Sequence, residues 1–244
     1  MRAVGVIPAR WASTRFEGKV IAPIHGRPMI QHVWQRCKHS RFLEDIIIAC
    51  DDERVLKTAQ EFGAKAVMTS LSHASGTDRI AEAVRDINAE IIVNIQADEP
   101  LIHHNVIDDL VCAIRDDETV SMATVVKVMD TMAEVNNPNI VKAVIDRKGY
   151  ALYFSRSVIP YDREKKGIDK ISYYKHLGIY AYRKDFLMAF SKMPRSRLEE
   201  VEQLEQLRAL EAGVRIKTVV TDKETIGVDT PEDLAKVEAI LNGR

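Results

Sequence analysis

Short apolar runs rich in Val and Ile recur along the first half of the chain and alternate with segments in which apolar residues recur at helical spacing. The runs predict β-strands at 3–8, 46–50, 65–68, 90–96 and 120–128, and the segments between them predict helices near 28–40, 52–62, 77–88 and 104–116. Repeated strand–helix–strand units are typical of an α/β protein with a mainly parallel sheet covered on both faces.

The middle of the chain has a different pattern. Extended runs at 139–146, 149–155 and 173–183, of which the last two contain tyrosines, predict a smaller β-rich lobe over about 130–185. Beyond it the pattern returns to α/β, with a long helix near 197–212, a strand at 215–221 and a last helix for which Thr230 is the predicted N-cap. We therefore expect one domain of residues 1–244 with the lobe inserted into it.

Polar side chains gather where predicted strands end. Arg10, Ser13, Arg15 and Lys19 follow the first strand in PARWASTRFEGK, and Asp98 follows the fourth in NIQADEP. In an open parallel sheet, ligands bind beyond the carboxyl ends of the strands, so these groups should share one edge. The cations and the Ser13 hydroxyl could cradle a triphosphate, although a solvated loop is an equally plain interpretation.

Two carboxylates at that edge could hold a metal ion. Asp229, in GVDTPEDL before the last helix, is expected to converge on Asp98, and hard divalent ions such as Mg²⁺ take carboxylate together with phosphate oxygens. Alternatively, Asp98 is only a turn former before Pro100, and Asp229 only a neighbour of a helix cap.

A third set of candidate residues lies in and after the lobe. His176 and Tyr180 share one face of a predicted strand, and Arg156 follows another strand. Glu202 and Gln206 are one turn apart on the predicted helix. The set could bind the carboxylate and hydroxyl groups of a substrate, or it could comprise a structural histidine and a solvated helix face.

Composition narrows the choice of partners. With 35 basic and 36 acidic side chains the formal charge is −1, which gives no reason to expect nucleic acid or a membrane surface as a partner. Cys37, Cys50 and Cys112 have neither disulfide nor zinc spacing, which suits a reducing cytoplasm. No apolar run is long enough for a transmembrane span, so we expect a soluble cytoplasmic protein.

Eight motifs in order give the chain a family resemblance. It resembles the 3-deoxy-manno-octulosonate (Kdo) cytidylyltransferases, also called CMP-Kdo synthetases, in PARWASTRFEGK, GRPMIQHV, ASGTDR, NIQADEP, YALYFSR, YKHLGIYAYR, LEQLRAL and GVDTPEDL. The resemblance implies a glycosyltransferase-A-like, Rossmann-related nucleotidyltransferase that moves CMP from CTP to the anomeric hydroxyl of Kdo and releases pyrophosphate. It also implies Mg²⁺, a homodimer and a role in lipopolysaccharide biosynthesis.

The resemblance also implies a role for each candidate residue. The CTP phosphates would be held by Arg10, Ser13, Arg15 and Lys19, and the cytidine would lie near Ser75 and Arg79. Magnesium would be bound by Asp98 and Asp229. The sugar pocket would be lined by Gln96, Arg156, His176, Tyr180, Glu202 and Gln206.

The chain departs from the family's usual pattern at Phe16, at Val20 and Ile21, which we regard as a structural change, and at two positions that bear on the site. Ala97 stands where relatives usually read QGDEP, and Glu17 stands where they usually read LPGK, which puts a carboxylate into the predicted phosphate loop. Two alternatives stay open: the same reaction on 8-amino-Kdo or another acidic 2-keto sugar, and a non-catalytic nucleotide-binding or regulatory protein on the same fold.

Overall fold

The computed structural model describes residues 1–12 and 16–242. In chain order its elements are β1 (Ala3–Ala9), a 3₁₀ helix (Lys19–Ile21), β2 (Pro23–Ile24), β3 (Arg27–Pro28), α1 (Met29–Cys37), β4 (Leu43–Cys50), α2 (Glu53–Glu61), β5 (Lys65–Met68), α3 (Gly76–Ala83), β6 (Ile91–Asn94), α4 (His104–Arg115), β7 (Met122–Val128), α5 (Met132–Asn136), β8 (Lys142–Ile145), β9 (Ala151–Ser155), β10 (Tyr174–Arg183), α6 (Lys184–Phe190), α7 (Arg197–Glu202), α8 (Gln206–Glu211), β11 (Ile216–Thr221) and α9 (Pro231–Asn242). The chain divides into two compact units: Met1–Val111 with the C-terminal segment from Glu224, and Cys112–Lys223.

The first unit is built on parallel strands. β1 pairs with β4 on one side and β6 on the other, and β4 pairs with β5, all in parallel. β1 is buried on both faces, as its continuous apolar sequence predicts for a parallel sheet covered by helices. The α/β class with a mainly parallel sheet is thereby confirmed.

Local signals set where the helices of this unit begin. The Asp52 side chain caps α2 by accepting a hydrogen bond from the Arg54 amide at 2.8 Å. Ser75 and Asp78 form a capping box at the start of α3, which ends at Ala83 rather than continuing to the predicted residue 88. α2 follows β4 directly and α3 follows β5 after a loop, so both N-termini face the sheet edge where the strands end.

The second unit has a mixed sheet. β7 pairs in parallel with β11 and antiparallel with β10, while β8 pairs antiparallel with both β10 and β9. The register of β10 against β7 shifts between Leu177 and Tyr180. The predicted lobe at about 130–185 falls inside this unit, and its separate boundaries stay a prediction.

The predicted long helix at 197–212 is wrong. The structure has two short helices, α7 and α8, because Gln203 adopts a left-handed conformation with φ of 55° and ends the first of them. Glu202 therefore ends α7 and Gln206 begins α8, so they are not one turn apart on a single helix. The apolar periodicity is kept across the break, which is why the sequence does not reveal it.

The three cysteines form no disulfide within the described residues. Cys37 and Cys50 are buried, and burial raises the pKa of the Cys50 thiol to about 11. Within residues 1–12 and 16–242, no helix has the length and the apolar character needed to cross a bilayer.

Candidate active site

A cavity of about 670 Å³ opens at the edge of the first unit where its parallel strands end. Six of the predicted functional residues line it: Arg10, Lys19, Arg79, Gln96, Asp98 and Asp229. Four separate segments supply them, namely the chain from the end of β1 to the 3₁₀ helix, α3, the turn after β6 and the turn before α9. The sheet-edge argument thus brings together groups that are far apart in sequence.

Lys19 joins the two predicted metal-binding carboxylates. Its Nζ donates to Asp98 Oδ2 at 2.7 Å, to Asp229 Oδ1 at 3.0 Å and to the Val228 carbonyl at 2.9 Å. Burial alone would lower the pKa of Lys19, but the charges and hydrogen bonds of Asp98 and Asp229 outweigh it and raise the pKa above its ordinary value. The ammonium is therefore a fixed positive charge.

The backbone holds Asp229 beside Asp98. The Val228 amide donates to the Asp98 carbonyl at 2.9 Å, and the buried Val228 side chain packs in a core cluster with Met29 and Val237. Thr230 and Asp233 then cap α9, since the Thr230 hydroxyl donates to Asp233 at 3.0 Å and accepts from its amide at 3.3 Å. The predicted N-cap is confirmed, and it leaves the Asp229 carboxylate facing the cavity.

The donor set suits a magnesium ion completed by phosphate. Asp98 and Asp229 already converge on one cation, the Lys19 ammonium, so their oxygens share a site for positive charge. Within the described part of the chain, no group of three or more His, Cys, Asp or Glu side chains could hold a metal ion. Two carboxylates plus substrate phosphates is the arrangement that Mg²⁺ takes in nucleotide enzymes.

Arg10 is available for an anion. It is exposed, it lines the cavity, and it makes no ion pair with the part of the chain that the structure describes. Ser13 and Arg15, predicted to hold phosphates with it, lie outside the described residues.

Arg79 is committed to the protein itself. It is 3 % exposed; its Nη2 donates to Asp51 Oδ2 at 2.8 Å, and its Nη1 donates to the Thr69 hydroxyl. Asp51 Oδ1 in turn accepts from the Trp11 amide at 2.9 Å. Arg79 thus anchors the start of the predicted phosphate loop while its side chain forms part of the cavity wall.

Sequence reasoning missed Asp51, although a signal was present. Asp51 directly follows the buried strand β4, so the sheet-edge rule that selected Asp98 also applies to it. Ser75, predicted near the cytidine, uses its hydroxyl to accept from the Asp78 amide at 3.1 Å, and its neighbour Gly76 lines the cavity.

Ala97 fits its position without backbone strain. It is buried and lines the cavity, and it does not have a positive φ. The methyl group is therefore compatible with the turn after β6. The next residue but one, Glu99, was not predicted to matter: burial, with the Asp98 charge beside it, raises its pKa to about 8, so its carboxyl is largely neutral at pH 7.

Gly18 allows the Trp11 ring to close over the backbone. Its φ is +67°, its amide donates to the Trp11 carbonyl at 3.1 Å, and a Cβ at this position would lie 2.7 Å from the indole ring. The two ends of segment 11–18 are therefore in direct contact.

We expect Gly18→Ala to weaken CTP binding about tenfold or more, because the methyl group forces the indole away from the backbone. Gly63→Ala is the matched control: Gly63 has a φ of +81° but nothing within 4 Å of an added Cβ. Both variants should lose about 1 kcal/mol of stability through the positive φ. Calorimetric titration with CTP should separate them, and equal CTP affinities would contradict a role for the Trp11 contact.

In the second unit the structure brings Arg156 and Glu202 together. The Glu202 carboxylate accepts from the Ser155 hydroxyl at 2.6 Å and from the Arg156 amide at 3.0 Å, while Arg156 Nε donates to the Glu202 carbonyl at 2.9 Å. Glu202 thus orients the guanidinium. Nη1 reaches the Pro138 carbonyl at 3.4 Å, and no hydrogen bond from Nη2 to the described residues is found.

The partly buried His176 and the buried Tyr180 form a second pair. Their ring centroids are 5.4 Å apart, which confirms that they share a face of β10 despite the register shift. His176 Nε2 lies 2.9 Å from the Thr124 hydroxyl, which gives its own proton to the Ile179 carbonyl at 2.9 Å; Nε2–H therefore donates. Gln206 is 4 % exposed, and its Nε2 has no partner among residues 1–12 and 16–242.

Burial of His176 predicts a loss of stability in acid. Burial lowers its pKa to about 3, so the folded protein keeps it neutral while the unfolded chain takes up a proton near pH 6.5. Below that pH this residue should cost about 1.4 kcal/mol of stability per pH unit. Urea denaturation at pH values between 7 and 5 measures the free energy of unfolding. This free energy should depend less steeply on pH in His176→Gln than in wild type. In the exposed His39→Gln it should depend on pH as it does in wild type. Equal slopes for all three proteins would contradict the prediction.

Comparison with known proteins defines the class first. Residues 4–216 match the cytidylyltransferase family, and the chain belongs to that family. A solved 4-diphosphocytidyl-2C-methyl-D-erythritol synthase from Anaerococcus prevotii has the same fold, with a TM-score of 0.66 at 15 % identity over 99 % of both chains.

More similar relatives carry a more specific name. The 3-deoxy-manno-octulosonate cytidylyltransferases of Thermodesulfovibrio yellowstonii and Geobacter sulfurreducens are 49 % and 48 % identical to this chain, over 99 % and 97 % of it and 99 % and 98 % of their own lengths. A structure of CMP:2-keto-3-deoxy-manno-octonic acid synthetase complexed with CTP aligns with a TM-score of 0.95 at 43 % identity, covering 100 % of this chain and 99 % of that one. The resemblance deduced from the eight motifs is confirmed.

Proposed function

We propose that this protein transfers CMP from CTP to the anomeric hydroxyl of Kdo, giving CMP-Kdo and pyrophosphate. The observation that carries the proposal is the convergence of Lys19, Asp98 and Asp229 at the strand ends of a cytidylyltransferase fold. Full-length similarity to named Kdo cytidylyltransferases supports the choice of sugar. A non-catalytic protein would have no need to keep two carboxylates and an ammonium in contact within one cavity.

The triphosphate is proposed to lie along the cavity wall formed by Arg10 and Lys19. Their positive charges neutralise the pyrophosphate as it leaves, in the way that preorganised cations stabilise developing charge. Mg²⁺, held by Asp98 and Asp229, would supply further charge neutralisation at the phosphates. The sugar hydroxyl then attacks the α-phosphorus in line, a step that depends on positioning and requires no covalent enzyme intermediate.

The acidic sugar is proposed to use the candidate residues of the second unit. Arg156, oriented by Glu202, suits the sugar carboxylate. The unpaired Gln206 Nε2 is a buried donor that suits a sugar hydroxyl. His176 and Tyr180, whose ring centroids are 5.4 Å apart on one face of β10, are proposed to line the same pocket.

The experiment measures pyrophosphate release with CTP and Mg²⁺ in three parallel reactions containing Kdo, 8-amino-Kdo or N-acetylneuraminate. Release with Kdo and formation of CMP-Kdo by mass spectrometry would support the proposal. Preference for either other sugar would change the substrate but keep the reaction, and no release with any sugar would favour a nucleotide-binding role.

Light scattering on the same sample tests the proposed homodimer. The proposed cytoplasmic location and lipopolysaccharide pathway follow from the resemblance.

A further inference from the structure

A carboxylate in an anion-binding loop would by itself weaken anion binding. Glu17 is exposed, lines the same cavity as Lys19, and would repel a triphosphate if its charge faced the ligand alone. The structure gives this carboxylate a specific partner. Glu17 Oε1 accepts a hydrogen bond from Trp11 Nε1 at 2.8 Å.

Several contacts hold the Trp11 indole in place. The Arg54 guanidinium stacks over the ring with its Cζ 3.5 Å from the ring centroid, and Gly18 lies against the ring. The main chain of Trp11 is fixed as well, through its amide to Asp51 and its carbonyl to the Gly18 amide. Among residues 1–12 and 16–242, the indole nitrogen donates to Glu17 alone.

Arg54 also offsets the Glu17 charge. It is paired first with Asp52, at 2.7 Å, and it lies near enough to Glu17 for that carboxylate to contribute to its raised pKa after Asp52. The cation above the ring and the carboxylate at its edge therefore form one small electrostatic unit with the indole between them.

We propose that Glu17 is a positioning residue for nucleotide binding: it locks the Trp11 indole over Gly18 and so presents Arg10 and Lys19 to the triphosphate. The inference rests on the proposed use of CTP. Arg10 directly precedes Trp11 and Lys19 directly follows Gly18, so contacts between Trp11 and Gly18 restrict both cations before the ligand arrives. Preorganisation of this kind lowers the ordering cost of binding.

The two possible roles of Glu17 predict opposite changes in the affinity for CTP when the residue is replaced. If the carboxylate acts by repulsion, Glu17→Ala and Glu17→Gln both bind CTP more tightly than the parent protein. If it acts by holding Trp11, Glu17→Ala binds CTP roughly three- to tenfold more weakly, the loss expected for one hydrogen bond. Glu17→Gln keeps a carbonyl acceptor and should stay within about twofold of the parent.

The test uses the full chain with Trp34→Phe, which leaves Trp11 as the sole tryptophan. CTP affinity is measured by calorimetry, the KM for CTP and the kcat by pyrophosphate release, and the Trp11 environment by its emission spectrum without nucleotide. Glu17→Ala should raise the KM for CTP, leave kcat within about twofold, and change the emission, while Glu17→Gln restores both readouts. Glu61→Ala, an exposed change at the end of α2, is the control and should match the parent.

Each other outcome overturns the proposal. Unchanged or tighter CTP binding in Glu17→Ala would show that the contact with Trp11 does not position the loop. A Glu17→Gln variant as weak as Glu17→Ala would show that the acceptor is not what matters. If the parent protein binds no CTP, the proposed function itself fails and this role with it, whereas CTP binding that ignores Glu17 removes only the positioning role.

Discussion

Replacing Asp98 with asparagine should lower kcat for CMP transfer roughly 10²- to 10⁴-fold, the effect expected when one of two metal-holding carboxylates is neutralised. The amide keeps the shape and can still accept from Lys19, but it removes the negative charge that now lies 2.7 Å from the ammonium. Of the two carboxylates that pair with Lys19, Asp229 then remains. Pyrophosphate release at saturating CTP and sugar, over a range of Mg²⁺ concentrations, measures the loss.

Asp109→Asn is the matched control for this prediction. It makes the same change of charge in the same unit, at an exposed position on α4 away from the cavity lining, and should leave kcat within about twofold. Near-normal turnover of Asp98→Asn at low Mg²⁺ would show that Asp98 does not hold the metal. An equal loss in both variants would point to a nonspecific effect of charge.

The strands of the first unit could be predicted because buried parallel strands have continuous apolar sequences. β1, β4 and β6 contain short apolar runs rich in Val and Ile, and such runs appear when both faces of a strand are covered. The break between α7 and α8 could not be predicted, because Gln203 in a left-handed conformation leaves the apolar spacing unchanged. α5 and α6 are too short for periodicity to indicate.

The candidate site divides in the same way. Asp98 and Asp229 could be placed together from sequence, because strand ends and helix starts of a parallel sheet meet at one edge. The partner of Glu17 could not, since the Trp11 contact depends on the positive φ of Gly18, which turns the chain back beneath the indole. The sequence shows that residue 17 is negatively charged, but it does not show that the Trp11 indole is its hydrogen-bond partner.

Arg79 illustrates the same limit, because the resemblance implies only that it lies near the cytidine, and the structure shows it paired with the carboxylate of Asp51. We expect Arg79→Met to lower the free energy of unfolding by about 3–5 kcal/mol, since it leaves the Asp51 charge buried without its cation. Both side chains of the pair are less than 10 % exposed. Urea denaturation at pH 7, with CTP absent, measures the loss independently of any ligand contact.

A second substitution separates charge burial from lost packing. Adding Asp51→Asn to Arg79→Met removes the uncompensated charge while keeping an acceptor for the Trp11 amide, so the double variant should recover part of the lost stability, about 1–3 kcal/mol. Simple loss of Arg79 packing predicts no recovery. If Arg79→Met instead keeps full stability and only raises the KM for CTP, then Arg79 acts through the nucleotide, as the family resemblance implies, and the ion pair with Asp51 serves to aim it.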